Sequence, residues 1–356
     1  MSHDPLRAAI ELREQLSSEK RRLAFLFGAG TSMSVGLPGI GALTEIVLAR
    51  LQEPEKKLCQ RIKSELKPGA SIEDILDRIR LYRELLGDNE DKEYGGIKGI
   101  SAARKLDASV CQTICEAVSI DPPKGSKPHL IVAQWLRALH SRRDWPVELF
   151  TSNYDLVIER AMEELGVPFF DGFVGSVEPF FIPESVEARD DGIDAISYPP
   201  RDWTRLWKIH GSINWRVKRA SSGSAERITR LSGVKPASGE ELVIFPSREK
   251  YHESRKLPFI AYQDRLRRLL GLGECLVIVL GYNFSDEHLN EILLQGLRSN
   301  PRLAIGMTTH SNLRADLMRH ATEYRNLTLY GPDKAVILES GVIPAVFAGW
   351  NHAGFK

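Results

Sequence analysis

Leu23-Ala-Phe-Leu-Phe-Gly-Ala-Gly-Thr-Ser32 sets the reading of the whole chain. Five apolar residues, Leu23–Phe27, run into a glycine turn, Gly28-Ala29-Gly30, and then into Thr31 and Ser32. A short continuous apolar run bounded by a turn suits a strand buried on both faces, the habit of parallel strands. The segment after it, Gly41–Leu51, has a helical pattern. Strand, glycine turn and helix together open a βαβ unit.

The same pattern returns further along. Val147–Phe150 ends in Thr151-Ser152-Asn153-Tyr154-Asp155, and Leu206–Ile209 ends in His210-Gly211-Ser212. Glu274–Leu280, strongly apolar, ends in Gly281-Tyr282-Asn283-Phe284-Ser285-Asp286. Helical patterns at 156–165, 259–270, 287–297 and 313–320 alternate with these runs and with strand-like Leu242–Phe245, Leu303–Met307 and Leu327–Tyr330. Such alternation predicts an α/β fold, a Rossmann-like parallel sheet with helices on both faces.

Residues 53–145 break the alternation and read as a helical insertion or cap. The clearest helix starts at Ser71, which with Asp74 resembles a capping box; Ile72, Ile75, Leu76, Ile79, Leu85 and Leu86 recur on one face, and Gly87 ends it. Helices are also expected over 106–118 and 129–140, the latter with Trp135 and Leu139 inward, and a charged loop over 87–99. The division that follows is 1–52 and 146–330 for the sheet domain, 53–145 for the insertion, and 331–356 for a C-terminal tail that could serve assembly. Residues 167–205, interrupted by Pro179, Pro183, Pro199 and Pro200, read as irregular, and 221–240 as a mobile surface loop.

With 356 residues, 42% hydrophobic and 27% charged, the composition is that of a soluble globular protein, and a net charge of +1 argues against a nucleic-acid coat or a membrane surface. Arg265, Arg267 and Arg268 read as a solvated helix face. No apolar run reaches about 18 residues and none follows Met1 before Leu23, so neither a membrane span nor a signal peptide is expected, and the expected location is cytoplasmic. The four cysteines include no C-x-x-C pair; only Cys111 and Cys115 lie one helical turn apart. A zinc ribbon needs two close pairs, so no metal site is expected and free thiols are.

In open α/β sheets ligands bind at the carboxyl ends of the strands. Gly28 and Gly30 would let backbone N–H groups approach a phosphate, helped by a helix dipole. The dinucleotide fingerprint is incomplete: Met33 stands at its third glycine, and Glu45 lies in a helical pattern rather than at a second strand end. A purely structural turn uses the same glycines. Asn153 and Asp155, two apart, point to one side of an extended backbone, where carboxamide and carboxylate can grip a ribose diol or orient a water. Asp155 reads equally well as a helix cap ahead of Leu156. His210 can exchange a proton near neutrality, though between Trp207 and Trp215 it also suits a structural role. His288 reads as a surface residue.

Taken in order, these motifs resemble the sirtuin family. Gly28–Ser32 is similar to its G-A-G-x-S phosphate loop, Gly36-Leu37-Pro38 to its G-I-P, and Thr151–Asp155 to its T-Q-N-I-D. His210-Gly211 is similar to its catalytic H-G, and Gly281-Tyr282-Asn283 to its G-T-S turn. The resemblance implies NAD+ bound across the sheet. Gly28, Ala29, Gly30, Thr31 and Ser32 would hold the pyrophosphate, and Gly281, Tyr282 and Asn283 the far end of the dinucleotide. Asn153 and Asp155 would engage the nicotinamide ribose and an attacking water, with His210 as base on a ribose hydroxyl or the nucleophile.

Two family features are missing: the D-F-R after G-I-P, replaced by Gly39-Ile40-Gly41, and the zinc-ribbon cysteines. The helical block, with K-I-H-G-S-I-N-W over 208–215 and G-Y-N-F-S-D-E-H over 281–288, resembles instead the bacterial sirtuin-like branch of anti-phage defence. That resemblance implies an NAD+ glycohydrolase without structural zinc, a HerA-type ATPase partner, a large homo-oligomer, and nucleic acid met weakly or through the partner. A non-catalytic NAD+ or ADP-ribose-binding regulatory module and a nuclease component of the same complex are the alternatives.

Overall fold

The computed structural model describes residues 5–119, 128–187, 199–218, 227–231, 241–244, 258–309, 314–331, 334–337 and 341–344. The chain opens with α1 (Pro5–Leu16), β1 (Arg22–Phe27), α2 (Ala29–Met33) and α3 (Ile40–Arg50). The helical block holds α4 (Glu55–Glu65), α5 (Ile72–Leu86), the hairpin β2 (Glu93–Tyr94) and β3 (Ile97–Lys98), α6 (Ile100–Val118) and α7 (Pro128–Leu139). Then come β4 (Glu148–Thr151), α8 (Val157–Glu164), β5 (Phe169–Phe170), β6 (Phe173–Val174), β7 (Phe180–Phe181) and α9 (Pro183–Glu187). The next run is β8 (Thr204–Lys208), β9 (Gly211–Lys218), β10 (Arg227–Arg230), β11 (Glu241–Ile244), α10 (Pro258–Gly271), β12 (Cys275–Leu280) and α11 (Glu287–Ser299). β13 (Leu303–Thr308), α12 (Ala315–Glu323), β14 (Leu327–Tyr330), β15 (Lys334–Ile337) and β16 (Gly341–Pro344) complete it.

The main sheet has the order β16-β15-β14-β13-β12-β1-β4-β8-β5. Its seven strands from β14 to β5 are parallel, and β15 and β16 extend it antiparallel. The expected α/β parallel sheet is therefore present. β1 shows why its apolar run is continuous: Ala24 and Leu26 enter one core with α10 and α11, while Leu23, Phe25 and Phe27 enter another with α7 and α8. The chain builds from β1 through β4 to β8 on one side, then returns to β12 and builds to β14 on the other. The switch point lies between β1 and β12, the crevice where such sheets bind ligands. Phe27 pairs with both Leu280 and Thr151, so the turns after β1, β4 and β12 emerge side by side.

The helical block has its own core, including Ile72, Ile75, Leu76, Ile79 and Leu106. That core also takes in Val157 and Ile213, with Tyr154 packed against it. Ile213 N donates to Tyr154 O at 2.9 Å. The block thus sits on the segments that carry Asn153 and His210. α5 begins with the expected capping box: Asp74 N donates to Ser71 Oγ at 3.3 Å, and Ser71 N donates to Asp74 Oδ2 at 2.8 Å.

Several local readings change. The 87–99 loop contains the β2–β3 hairpin, and the helix expected from 106 starts at Ile100. Residues 167–205 hold β5, β6, β7 and α9. Arg227–Arg230 is a strand within the stretch read as a mobile loop; 219–226 and 232–240 lie outside the described residues. Strands β6, β7, β9, β10 and β11 form a second, antiparallel sheet. Arg265 does not belong to a solvated face. It shares a helix side with Tyr262, Leu266 and Leu269 and is 5% exposed, whereas Arg267 and Arg268 are exposed. Its partner is Glu148 of β4, met at 2.8 Å from both Nε and Nη2. Among the described residues no helix is long and apolar enough to cross a membrane.

Candidate active site

The turns after β1 and β12 pack backbone against backbone. Gly28 N donates to Leu280 O and Gly30 N to Gly281 O, both at 2.9 Å. A Cβ on Gly28 would stand 2.5 Å from Tyr282 Cα, and one on Gly30 2.8 Å from Gly281 Cα. The glycines are therefore needed for this contact. It also revises the phosphate expectation: the N–H groups of Gly28 and Gly30 face the neighbouring turn. α2 spans five residues, too few for a substantial helix dipole. Ala29 is exposed at the tip, and Thr31 Oγ1 donates to Gly28 O at 2.8 Å.

Asn153 and Asp155 clasp this loop from the end of β4. Asn153 Nδ2 lies 3.0 Å from Gly28 O, 3.0 Å from Thr31 Oγ1 and 2.8 Å from Ser32 Oγ. Asp155 Oδ2 accepts from Ser32 Oγ at 2.6 Å, while Oδ1 accepts from Val157 N at 2.9 Å. The cap reading of Asp155 matches its contact with Val157 N at the start of α8, and its other oxygen reaches the loop. Buried at 7% exposure with both oxygens engaged, it is placed to position Ser32 rather than to touch a water. Lys208, also buried, donates to Asp155 O and, at 2.6 Å, to Glu159 Oε1, which pins this segment from beneath. Burial pushes the Glu159 carboxyl up despite the Lys208 charge. His129 of α7 is buried, and burial lowers its pKa against the opposing charge of Asp155, so the imidazole stays neutral beside the clasp.

His210 meets Asp286 across the switch point, Nε2 to Oδ2, at 2.8 Å. Asp286 Oδ1 accepts from His288 N at 3.0 Å and Leu289 N at 3.1 Å, so one side chain caps α11 and holds the histidine. Burial opposes the imidazolium, but the hydrogen bond and charge of Asp286, with Glu73 further off, outweigh it and raise the His210 pKa. Burial likewise opposes the Asp286 carboxylate, yet His210 and the two backbone donors hold its pKa at about 2. The remaining expected contacts lie on the turn after β12. Tyr282 is turned inward, its hydroxyl donating to Asn290 Oδ1 at 2.6 Å, whereas Asn283 is exposed. His288 is exposed, as its sequence setting suggested.

Two acidic residues of this site escape sequence reading. Asp286 looks like an ordinary helix cap. Glu73, in the first turn of α5, looks like an acid placed for the helix dipole. Glu73 senses the charges of His210 and Asp286, and it weighs with burial in raising the Tyr154 pKa. Among the described residues no group of three or more His, Cys, Asp or Glu could hold a metal ion. The four cysteines are buried and free. An open cleft of about 820 Å³ lies between α11 and α12, lined by Phe284, Ser285, Asn290, Arg298, Arg314 and His320 among others.

A parallel sheet whose switch point carries a glycine turn, an Asn/Asp clasp and a His–Asp pair gives the chain a Rossmann-type fold. Residues 147–321 match the family model described as a SIR2-like domain. The match spans Asn153, Asp155, His210 and Gly281–Asn283, and leaves out the Gly28–Ser32 loop and α5. None of the curated proteins matches the chain. Similar solved structures include a Sir2 mutant with a p53 peptide and NAD, 13% identical over 90% of this chain and 91% of that one, TM-score 0.39. Another is a mutant Sir2 homologue in complex with ADP ribose, 14% identical over 82% and 80%, TM-score 0.37.

Proposed function

We propose that this protein is an NAD+ glycohydrolase, converting NAD+ and water to ADP-ribose, nicotinamide and a proton. The observation that carries the reading is the convergence of Asn153, Ser32 and the His210–Asp286 pair on the crevice where β1, β4, β8 and β12 end. Breaking the nicotinamide–ribose bond passes through an oxocarbenium-like state, as in glycoside hydrolysis. Nicotinamide leaves as a neutral group, so the site needs no strong general acid, and it offers a histidine and carboxylates instead. In this reading the turns after β1 and β12 hold the dinucleotide, with Ala29, Thr31 and Ser32 toward the pyrophosphate and Asn283 toward its far end. Asn153 fixes the loop against the ribose. His210, oriented by Asp286, exchanges a proton with a ribose hydroxyl.

Purified protein given NAD+, alone and with a HerA-type ATPase, should release nicotinamide and ADP-ribose in equal amounts. No nicotinamide under either condition ends the reading. The resemblance to the anti-phage branch supports NAD+ depletion in the cytoplasm as the purpose, with that ATPase as partner and a large homo-oligomer as the working form. Native mass measured with and without the ATPase tests both.

A binding module that senses NAD+ or ADP-ribose without turning it over is the second reading. It is favoured by the Asn153 amide and Asp155 carboxylate being occupied with the loop. Calorimetric binding with NAD+ left intact would select it.

A further inference from the structure

We propose that Glu73, contributed by the helical block, is the general base that takes the proton of the attacking water. The inference rests on the NAD+ glycohydrolase reading and fills a gap in it. Asp155, the carboxylate expected at the water, is committed to Ser32 and to the start of α8. Asp286 is committed to His210 and to the cap of α11. Asp74, next to Glu73, is committed to Ser71. Glu73 makes no hydrogen bond or ion pair with any described residue.

The start of its helix is nonetheless anchored. Ile72 N donates to Thr44 Oγ1 of α3 at 2.9 Å, which anchors the start of α5. Ile72, Ile75 and Leu76 lie in one core with Ile213, three residues past His210, and with Val157, two past Asp155. These contacts fix the start of α5 in the core that Tyr154 and Ile213 pack into, and from there the charges of His210 and Asp286 reach the Glu73 carboxyl. The groups acting on its carboxyl are His210 and Asp286 across the crevice and Asp74 and Asp77 of its own helix; Tyr154, packed against the block, is acted on by it in turn.

The step balances. Water attacks C1′ of the nicotinamide ribose and forms the new C1′–O bond. The C1′–N bond breaks with its electron pair leaving on nicotinamide, and the water proton passes to the Glu73 carboxylate, which later releases it to solvent. Burial pushes the Glu73 carboxyl up to about 7, with His210 opposing and the neighbouring carboxylates adding, which suits a base working near neutrality.

The test compares wild type, E73Q and E73D for kcat and KM on NAD+ across pH. Glutamine keeps the shape and removes the base. E73Q is expected to lose about a hundredfold or more in kcat with KM nearly unchanged and without the acidic limb of the wild-type profile, while E73D recovers part of the rate. Wild type turning over and E73Q matching it, limb included, overturns the base role alone. Wild type releasing no nicotinamide overturns the glycohydrolase reading, and the base role with it.

Discussion

Asn153 donates from its carboxamide to the Gly28 carbonyl at 3.0 Å, across 125 residues of chain. The same nitrogen lies within reach of Thr31 Oγ1 and Ser32 Oγ, so its two hydrogens serve three acceptors. The loop after β1 is therefore shaped by the end of β4, and a substitution at Asn153 acts on the loop as well as on any ligand.

Asn153→Ala leaves the Gly28 carbonyl and the two hydroxyls to find other partners. Losing part-buried hydrogen bonds of this kind costs about 1–2 kcal/mol. The expected outcome is a lowered melting temperature together with loss of NAD+ turnover. A variant that melts like wild type would show that Asp155 and Ser32 hold the loop without it.

Gly281→Ala tests the contact between the two turns. Gly281 has φ +64, and a Cβ there would stand 2.5 Å from Thr31 N, a backbone atom that cannot swing aside. Gly166 has the same φ of +64 but open space around it. Gly166→Ala should cost about 1–2 kcal/mol, the strain of a left-handed alanine, and Gly281→Ala clearly more. Urea unfolding of both variants separates strain from collision, and equal midpoints would refute the close approach.

The sheet was legible because β1, β4 and β12 are apolar runs with turn residues at their ends, and α5 because Ser71, Asp74 and Gly87 mark its limits. The His210–Asp286 pair was not. Its members are 76 residues apart and meet only because β12 returns to the far side of β1. Glu73 is locally indistinguishable from any acid in a first helical turn. The second sheet hid in strands of two to four residues around β9, too short for a period to show. Arg265 was misread because its two arginine neighbours are exposed and its own partner, Glu148, lies 117 residues earlier.

That buried pair makes a stability prediction. Glu148 is 1% and Arg265 5% exposed, and Glu148 also accepts from Trp207 Nε1 at 2.7 Å. Arg265→Met strands a buried carboxylate and should destabilise by about 3–5 kcal/mol. Adding Glu148→Gln removes the charge, keeps an acceptor for Trp207, and should recover most of the loss. Additive losses in the double variant, read from chemical denaturation, would contradict a coupled pair.

The two acidic residues around His210 should respond to pH with opposite signs. Asp286 is held down from 3.8 to about 2, so its contribution is present above about pH 4 and is lost as pH falls toward 2. The stability gap between wild type and D286N should therefore close in acid. Glu73 is raised from 4.5 to about 7. An acid raised in the native state favours folding below its unfolded pKa, and that advantage disappears as pH rises through the folded value. Above about pH 7 the native protein carries a half-buried carboxylate that the unfolded chain holds in water, at a cost of at most about 3 kcal/mol. E73Q has no such charge. It should match wild type below about pH 4 and exceed it in melting temperature above about pH 7, the pattern of a site residue kept against stability. Melts of E73Q across this range decide the matter: a variant less stable than wild type at alkaline pH would mean that the Glu73 carboxylate is held by favourable contacts.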